Sequence, residues 1–343
     1  MKIMVTGGAG YVGGTVSALL LEQGHQVVVV DNLCHARRDQ VPQGVDFVET
    51  DIADRPRIEG LFREAAASGT PFDGVLHFAA LIEAGESMKY PEVYFRNNTA
   101  STLALLEAII GAGPDAPKRL VFSSTAAVYG EPEVVPIPET AALRPTNTYG
   151  ESKLLVEYML GWFHRIHGLR SASLRYFNVA GAPERGAHGS GDIISGEAHE
   201  PESHLIPLIL DVALGRRNSI KIFGEDYPTA DGTCVRDYIH VGDLADAHLL
   251  ALKALETPRA AESRLIYNLG NGAGFTVKEV IDSVRRVTGH SIPVEICPRR
   301  PGDPAFLIAS SEKAIAELGW KPRYSQIDDI IRTAWIWHQK RHA

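Results

Sequence analysis

Residues 3–13 read IMVTGGAGYVG. Ile3 to Val5 form a short apolar run, which breaks at Thr6 into a glycine-rich turn and resumes as an apolar helical pattern. The spacing of Gly7, Gly10 and Gly13 lets backbone approach a pyrophosphate closely and aims a helix N-terminus at it. A second apolar run, Val27 to Val30, ends in Asp31. It comes about 20 residues after the turn, the separation at which a carboxylate accepts hydrogen bonds from an adenosine ribose. A carboxylate there repels a 2′-phosphate, so the pattern favours NAD over NADP, although Arg37 and Arg38 lie nearby. A glycine-rich turn alone is weak, and its meaning depends on the rest of the chain.

Beyond the turn, strands and helices alternate. Strand-like runs at 2–6, 26–31, 45–49, 74–79, 119–123 and 170–176 are separated by helical stretches, which predicts an α/β fold with a Rossmann-type, doubly wound parallel sheet. Beyond about residue 178 the texture changes to Gly- and Pro-rich segments, short strands and shorter helices. The expected division is a dinucleotide domain over 1–178 and a smaller α/β substrate lobe over 179–343, with some segments returning to the first domain. The stretch 181–203 is polar and aperiodic, and reads as a long surface loop.

The 343 residues are 45% hydrophobic with a formal charge of −8, enough for a sizeable core and unsuited to general nucleic-acid binding. Cys34, Cys234 and Cys297 are widely spaced with no CxxC, so neither a disulfide framework nor a zinc site is expected. No apolar run approaches bilayer length, and no apolar signal core precedes the first strand. A cytoplasmic protein with no membrane partner is the expectation.

Tyr149 and Lys153 lie in TYGESK, one helical turn apart and on one face. A phenol titrates near ~10 and is a poor base at neutral pH unless a cation stabilises its phenolate; Lys153 is placed to be that cation. The pair alone is common on solvated helices. Its companion is FSSTAAVYG, which lies after a hydrophobic strand and supplies Ser123, Ser124 and Thr125, where Thr125 can hold a substrate alcohol beside the phenolate. HFAA, with Phe78, Ala79 and Ala80, offers small side chains at the same sheet edge, and Asn97 or Asn98 comes next in a helix-start region. Ser123 and Ser124 are not in a G-x-S-x-G turn, which argues against a hydrolase. With no HExxH, and with His164 and His167 reading as exposed helix residues, metal use is not expected.

These motifs together resemble the UDP-glucose 4-epimerases, also called UDP-galactose 4-epimerases, of the extended short-chain dehydrogenase/reductase family. The resemblance runs over nearly the whole chain. It rests on TGGAGYVG, Asp31-Asn32, HFAA, Gly85-Glu86-Ser87, FSSTAAVYG, YGESK, LRYFN, IFGEDYPTADGTCVRDYIHV, YNLGNG and PRRPGD. It implies reversible epimerisation at C4 of a UDP-hexose through a 4-keto sugar, with bound NAD. Tyr149, Lys153 and Thr125 would be the catalytic trio. Cofactor contacts would come from Gly7, Gly10, Tyr11, Val12, Gly13, Asp31, Asn32, Asp51, Ile52, Phe78, Ala79, Ala80, Asn97, Ser123, Tyr149, Lys153 and Phe177. Substrate contacts would come from Thr125, Tyr149, Asn178, Leu205, Lys221, Phe223, Arg236, Arg300, Asp303 and Leu307, the two arginines clamping the diphosphate. A homodimer built on helices around 91–110 and 149–167 is also implied.

Two departures from the family pattern matter. Ile82 and Glu83 stand where some members carry a lysine, so no cationic ribose contact is assigned there. Leu307 stands where relatives vary between a bulky tyrosine and a small residue, which leaves UDP-N-acetylhexosamines open as substrates, along with UDP-uronates and UDP-pentoses. A nucleotide-sugar dehydratase or decarboxylase needs an acid just after the hydroxyl, whereas Ala126 and Ala127 come directly after Thr125.

Overall fold

The computed structural model describes residues 1–184, 193, 195–257, 264–300 and 303–343. The expected runs form strands β1 (Lys2–Thr6), β2 (Gln26–Asp31), β3 (Asp46–Glu49), β4 (Gly74–His77), β5 (Arg119–Ser123) and β6 (Arg170–Tyr176). A seventh strand, Leu265–Leu269, returns from far along the chain to pair with β6. The spatial order is Leu265–Leu269, β6, β5, β4, β1, β2, β3, and every pairing is parallel.

Both faces of this sheet are covered, which is why its strands read as continuous apolar runs rather than alternating ones. Ile3 and Val5 point to one face and pack with Val16 and Leu20 of helix α1 (Tyr11–Glu22) and with Leu244 and Leu252 of the helix Val241–Ala254. Met4 points to the other face and meets Phe62 of α2 (Arg55–Ala67), Leu106 of the helix Ser101–Gly111 and Val156 of the helix Thr148–His167. A separate apolar cluster, with Leu210, Ile220, Val284 and Ile331, joins the helices Leu205–Ala213, Val277–Thr288 and Ile327–His342. Among the described residues no helix is long and apolar enough to cross a membrane.

Strand order reverses between β1 and its neighbours β2 and β4, and a ligand crevice opens at the carboxyl ends of strands at such a point. The expected strand 74–79 stops at His77, so residues 78–80 leave the ladder and turn across the mouth of that crevice. The helix expected over 91–110 is broken into Pro91–Tyr94, a π-helical stretch Phe95–Ala100 and Ser101–Gly111. Such π segments often mark functional sites, and this one carries Asn97 and Asn98.

Candidate active site

The glycine-rich turn is fixed by close backbone packing. Gly7 has φ +72°, and a Cβ there would sit 2.5 Å from the Ala79 amide nitrogen; one at Gly13 would collide with the Gly7 carbonyl. Gly10 is the N-cap of α1, with no side-chain cap and no acidic residue in the first turn, so neither a side-chain cap nor a first-turn carboxylate competes for the amides of that turn. Asp31 accepts bonds from the Ala9 amide (3.0 Å) and the Leu33 amide (2.9 Å), and Asn32 donates to Asp51 (2.8 Å). One cavity is lined by Gly7, Gly10, Tyr11, Val12, Gly13, Asp31 and Asn32, and also by Asp51, Ile52, Phe78, Ala79, Ala80 and Asn97. The uncapped helix start and the Asp31 carboxylate on the cavity wall fit a dinucleotide. Asn97 is on the wall, whereas Asn98 is buried, bonded to the Leu81 amide and carbonyl and to Ser152.

The same cavity reaches Thr125, Tyr149, Tyr176 and Phe177. The helix Thr148–His167 starts at Asn147, whose side chain accepts from the Gly150 amide (2.8 Å). Ser87 Oγ accepts from the Tyr149 amide (3.1 Å) while donating to the Ala84 carbonyl (2.7 Å), so the Gly85-Glu86-Ser87 motif locks the start of the tyrosine helix. Burial pushes the Tyr149 phenol up to about 12, with the Thr125 hydrogen bond working downward and the Glu83 charge upward. Burial also brings Lys153 down to about 7.

Lys153, expected as the cation beside the phenol, sits deeper than the cavity surface. Its Nζ donates to the Ser123 carbonyl (2.9 Å) and lies 4.9 Å from the centre of the Phe122 ring. Lys153 and Ser123 are both buried behind the cavity wall rather than exposed on it. Desolvation is the largest influence on both groups, raising the phenol and lowering the ammonium.

Beneath the site lies a network that sequence reasoning did not anticipate. Arg175 pairs with Glu157 through two bonds (2.9 and 2.6 Å), Glu157 accepts from Ser124 (2.6 Å), and Arg175 donates to the Tyr129 hydroxyl (2.9 Å). All four residues are buried, and the network ties β5 and β6 to the tyrosine helix. Tyr176 was also missed; its hydroxyl pairs with Ser123 Oγ (2.6 Å). His77 sits between Thr6 (2.6 Å) and Thr102 (2.8 Å). Thr102 donates to the Asn98 carbonyl, so the His77 ring carries its proton on Nε2, and burial holds the ring neutral at about 3.

The remaining expected residues form a second group. Asn178 is exposed at the start of the strand Asn178–Ala180, which pairs with Tyr238–His240. Arg236 is ion-paired with Asp303 and is the strand partner of Leu307. The Arg300 guanidinium lies 4.1 Å from the centre of the Phe223 ring. Leu205 begins the helix Leu205–Ala213, and Lys221 is exposed, 3.9 Å from Glu295. None of these lines the first cavity. The long loop expected over 181–203 lies partly outside the described residues; of its described part, Glu197 and His199, together with His204 just beyond it, stand on the cavity wall, where a surface insertion was expected.

Residues 3–270 match the NAD dependent epimerase/dehydratase family. The chain belongs to that family. Among individual relatives, the UDP-glucose 4-epimerase of Streptomyces lividans is 53% identical over 98% of this chain and 96% of its own length. A Stenotrophomonas maltophila UDP-glucose-4-epimerase, crystallised with bound NAD and formylated UDP-arabinopyranose, superposes with a TM-score of 0.90 at 42% identity and covers 100% of both chains. A Bifidobacterium longum UDP-glucose 4-epimerase in complex with NAD+ and UDP superposes with a TM-score of 0.88 at 36% identity, covering 100% of this chain and 99% of its own. For an epimerase/dehydratase family member, the glycine turn, Asp31 and the Tyr149 helix are the parts that meet in one cavity.

Proposed function

We propose that this chain is an NAD-dependent UDP-glucose 4-epimerase, interconverting UDP-glucose and UDP-galactose. The observation that carries the reading is the convergence of Thr125 and Tyr149 with the glycine-rich turn and Asp31 on one cavity wall, in a chain related over its full length to proteins of that activity.

When bound, the oxidised nicotinamide supplies the acceptor and later the donor of the C4 hydrogen, together with a positive charge. The protein's part is proton management and orientation. Thr125 and Tyr149 share the cavity wall, and in this reading Thr125 holds the sugar's 4-hydroxyl beside the phenol. Tyr149 takes the proton from that hydroxyl and returns it after the sugar has turned over. Burial alone keeps the phenol protonated, so the phenolate forms only when added positive charge offsets desolvation. Lys153, whose proton is held less tightly because of burial, supplies the positive charge nearest the wall on the tyrosine helix. Arg236, Arg300 and Asp303 are assigned to the diphosphate end of the substrate, the Arg236–Asp303 pair presetting the guanidinium. Ala126 and Ala127, which open the short helical turn capped by Thr125, can transfer no proton, so a dehydratase or decarboxylase reaction lacks its acid.

The test is incubation of purified protein with UDP-galactose, without added cofactor, and separation of the sugar nucleotides. UDP-glucose is the expected product; unchanged UDP-galactose would overturn the reading. Parallel runs with UDP-N-acetylgalactosamine, UDP-galacturonate and a UDP-pentose decide what Leu307 admits.

A homodimer belongs to the same proposal. On the tyrosine helix Tyr158, Trp162 and Ile166 recur at i, i+4 and i+8 and are 48%, 60% and 68% exposed, an apolar stripe left to solvent. Val93, Phe95 and Leu103 add exposed apolar surface on the neighbouring helical run. A second copy of the chain covers this face by matching it with its own. Light scattering is expected to give a dimer mass, with Trp162→Glu monomeric; a monomer for the parent chain would remove the dimer.

A further inference from the structure

Residues 197–204 contain one pattern twice, Glu197-Ala198-His199 and Glu202-Ser203-His204, five residues apart. The segment has no regular secondary structure, yet its ionisable side chains converge. His199 Nδ1 lies 2.5 Å from Glu197 Oε1, while His204 Nδ1 lies 2.8 Å from Glu202 Oε1 and 4.0 Å from Glu197 Oε2. One ligand-type atom from each of Glu197, His199 and His204 falls within 4.8 Å of the others.

The convergence is enforced from outside. Trp337 Nε1 donates to the Glu197 carbonyl (2.9 Å), and Arg341 donates to the carbonyls of Glu197 (3.3 Å) and Ala198 (3.2 Å). On the other side Ser203 donates to the Glu83 carboxylate (2.8 Å). A backbone clamped in this way holds side-chain donors in place before any ligand arrives. An independent observation points to a cation. Glu202 Oε1 accepts from the amides of Ser203 and His204 (both 2.8 Å), but Glu202 Oε2 is buried with no hydrogen-bond partner. A buried carboxylate oxygen left without a donor is costly, and a metal ion satisfies it.

We propose that Glu197, His199 and His204, completed by Glu202, form a binding site for a divalent transition metal of the zinc class. Two imidazole nitrogens with carboxylate oxygens are the donor set of zinc, whereas calcium and magnesium take oxygen alone. Glu197, His199 and His204 supply three donors, and Glu202 stands beside them, its Oε1 2.8 Å from His204 Nδ1. Two carboxylates against one divalent cation make the cluster electrically neutral. The position of the cluster in the fold suits a structural role. Glu197, His199 and His204 share the cavity with Gly10 and Tyr11, and Ser195 lies 3.3 Å from Thr15 of α1. The ion fastens this segment against the glycine-rich turn. The site stands independently of the proposed reaction, because metal binding is read without turnover.

The experiment uses tag-free full-length protein, stripped by dialysis against a chelator and titrated with Zn2+ against a chromophoric indicator, and separately with Co2+. One tight equivalent of Zn2+ and the intense visible absorption of four-coordinate Co2+ are expected. His199→Ala with His204→Ala should weaken binding at least about 100-fold, and Glu197→Gln, which keeps the side chain's size, should weaken it as well. Asp211, His338 and His342 also lie within 4.8 Å of one another, so His338→Ala with His342→Ala is the control and should retain the equivalent. Absence of tight binding or of the cobalt spectrum in the parent protein overturns the proposal, whatever the variants do. So does loss of the equivalent in the His338/His342 control alone.

Discussion

Replacing Lys153 with methionine should make the nucleotide-stripped protein more stable while abolishing turnover. The ammonium ordinarily keeps its proton to 10.5, and burial brings it down to about 7, a fall that corresponds to ~5 kcal/mol of desolvation cost at any pH where both states are charged. Methionine is close in length and carries no charge. It forfeits the bond to the Ser123 carbonyl and the contact with Phe122, together about 1–2 kcal/mol. The net gain at pH 6 is therefore about 3 kcal/mol. That gain must change little below pH 7 and much above it. Between pH 7 and 10.5 the unfolded chain holds a lysine proton that the folded chain has lost, so parent stability rises with pH there and the variant's does not. By pH 9 the gap should narrow by ~3 kcal/mol, to about zero. Urea unfolding at pH 6 and pH 9 measures it. A variant no more stable than its parent at pH 6, or a gap that does not move with pH, would refute the claim that burial sets this lysine's protonation.

Two further outcomes are expected of the same structure. Tyr149→Phe should lower turnover by about a thousand-fold, the worth of a positioned acid-base group, and leave the fold and nucleotide content unchanged; near-normal turnover would remove Tyr149 from its role. Burial holds His77 and His240 neutral at about 3 and His248 at about 4. Each therefore takes up a proton only on unfolding as pH falls below 6.5, and each costs about 2 kcal/mol of stability by pH 5. His248→Leu, which also removes an unpartnered buried Nε2, should flatten the acid slope by about 1.4 kcal/mol per pH unit, read by urea unfolding between pH 6 and 5; an unchanged slope would contradict the assignment.

The central sheet was legible because local signals suffice for it. A run such as Val27 to Val30, buried on both faces, writes its environment into consecutive residues. The glycine turn was legible because Gly7 sits at positive φ against Ala79, a constraint that only glycine meets. The strand Leu265–Leu269 was less visible as part of the sheet, since its partner β6 is almost a hundred residues away and nothing local encodes that pairing. The Arg175–Glu157 pair was missed for the same reason: each residue reads as an ordinary surface charge until tertiary packing encloses both. The electrostatics of Lys153 depended on burial depth, which helical spacing does not report. At residues 197–204 a signal did exist, the repeated Glu-x-His, but it matches neither a helical HExxH nor a cysteine motif, and only the contacts from Trp337 and Arg341 turn it into a cluster.

The most direct test of the account is to supply UDP-galactose carrying deuterium at C4 and to analyse the product by mass spectrometry. The account predicts UDP-glucose with the deuterium still at C4, because the hydrogen leaves and returns within one closed site. Product in which the label has been replaced by solvent hydrogen would contradict it.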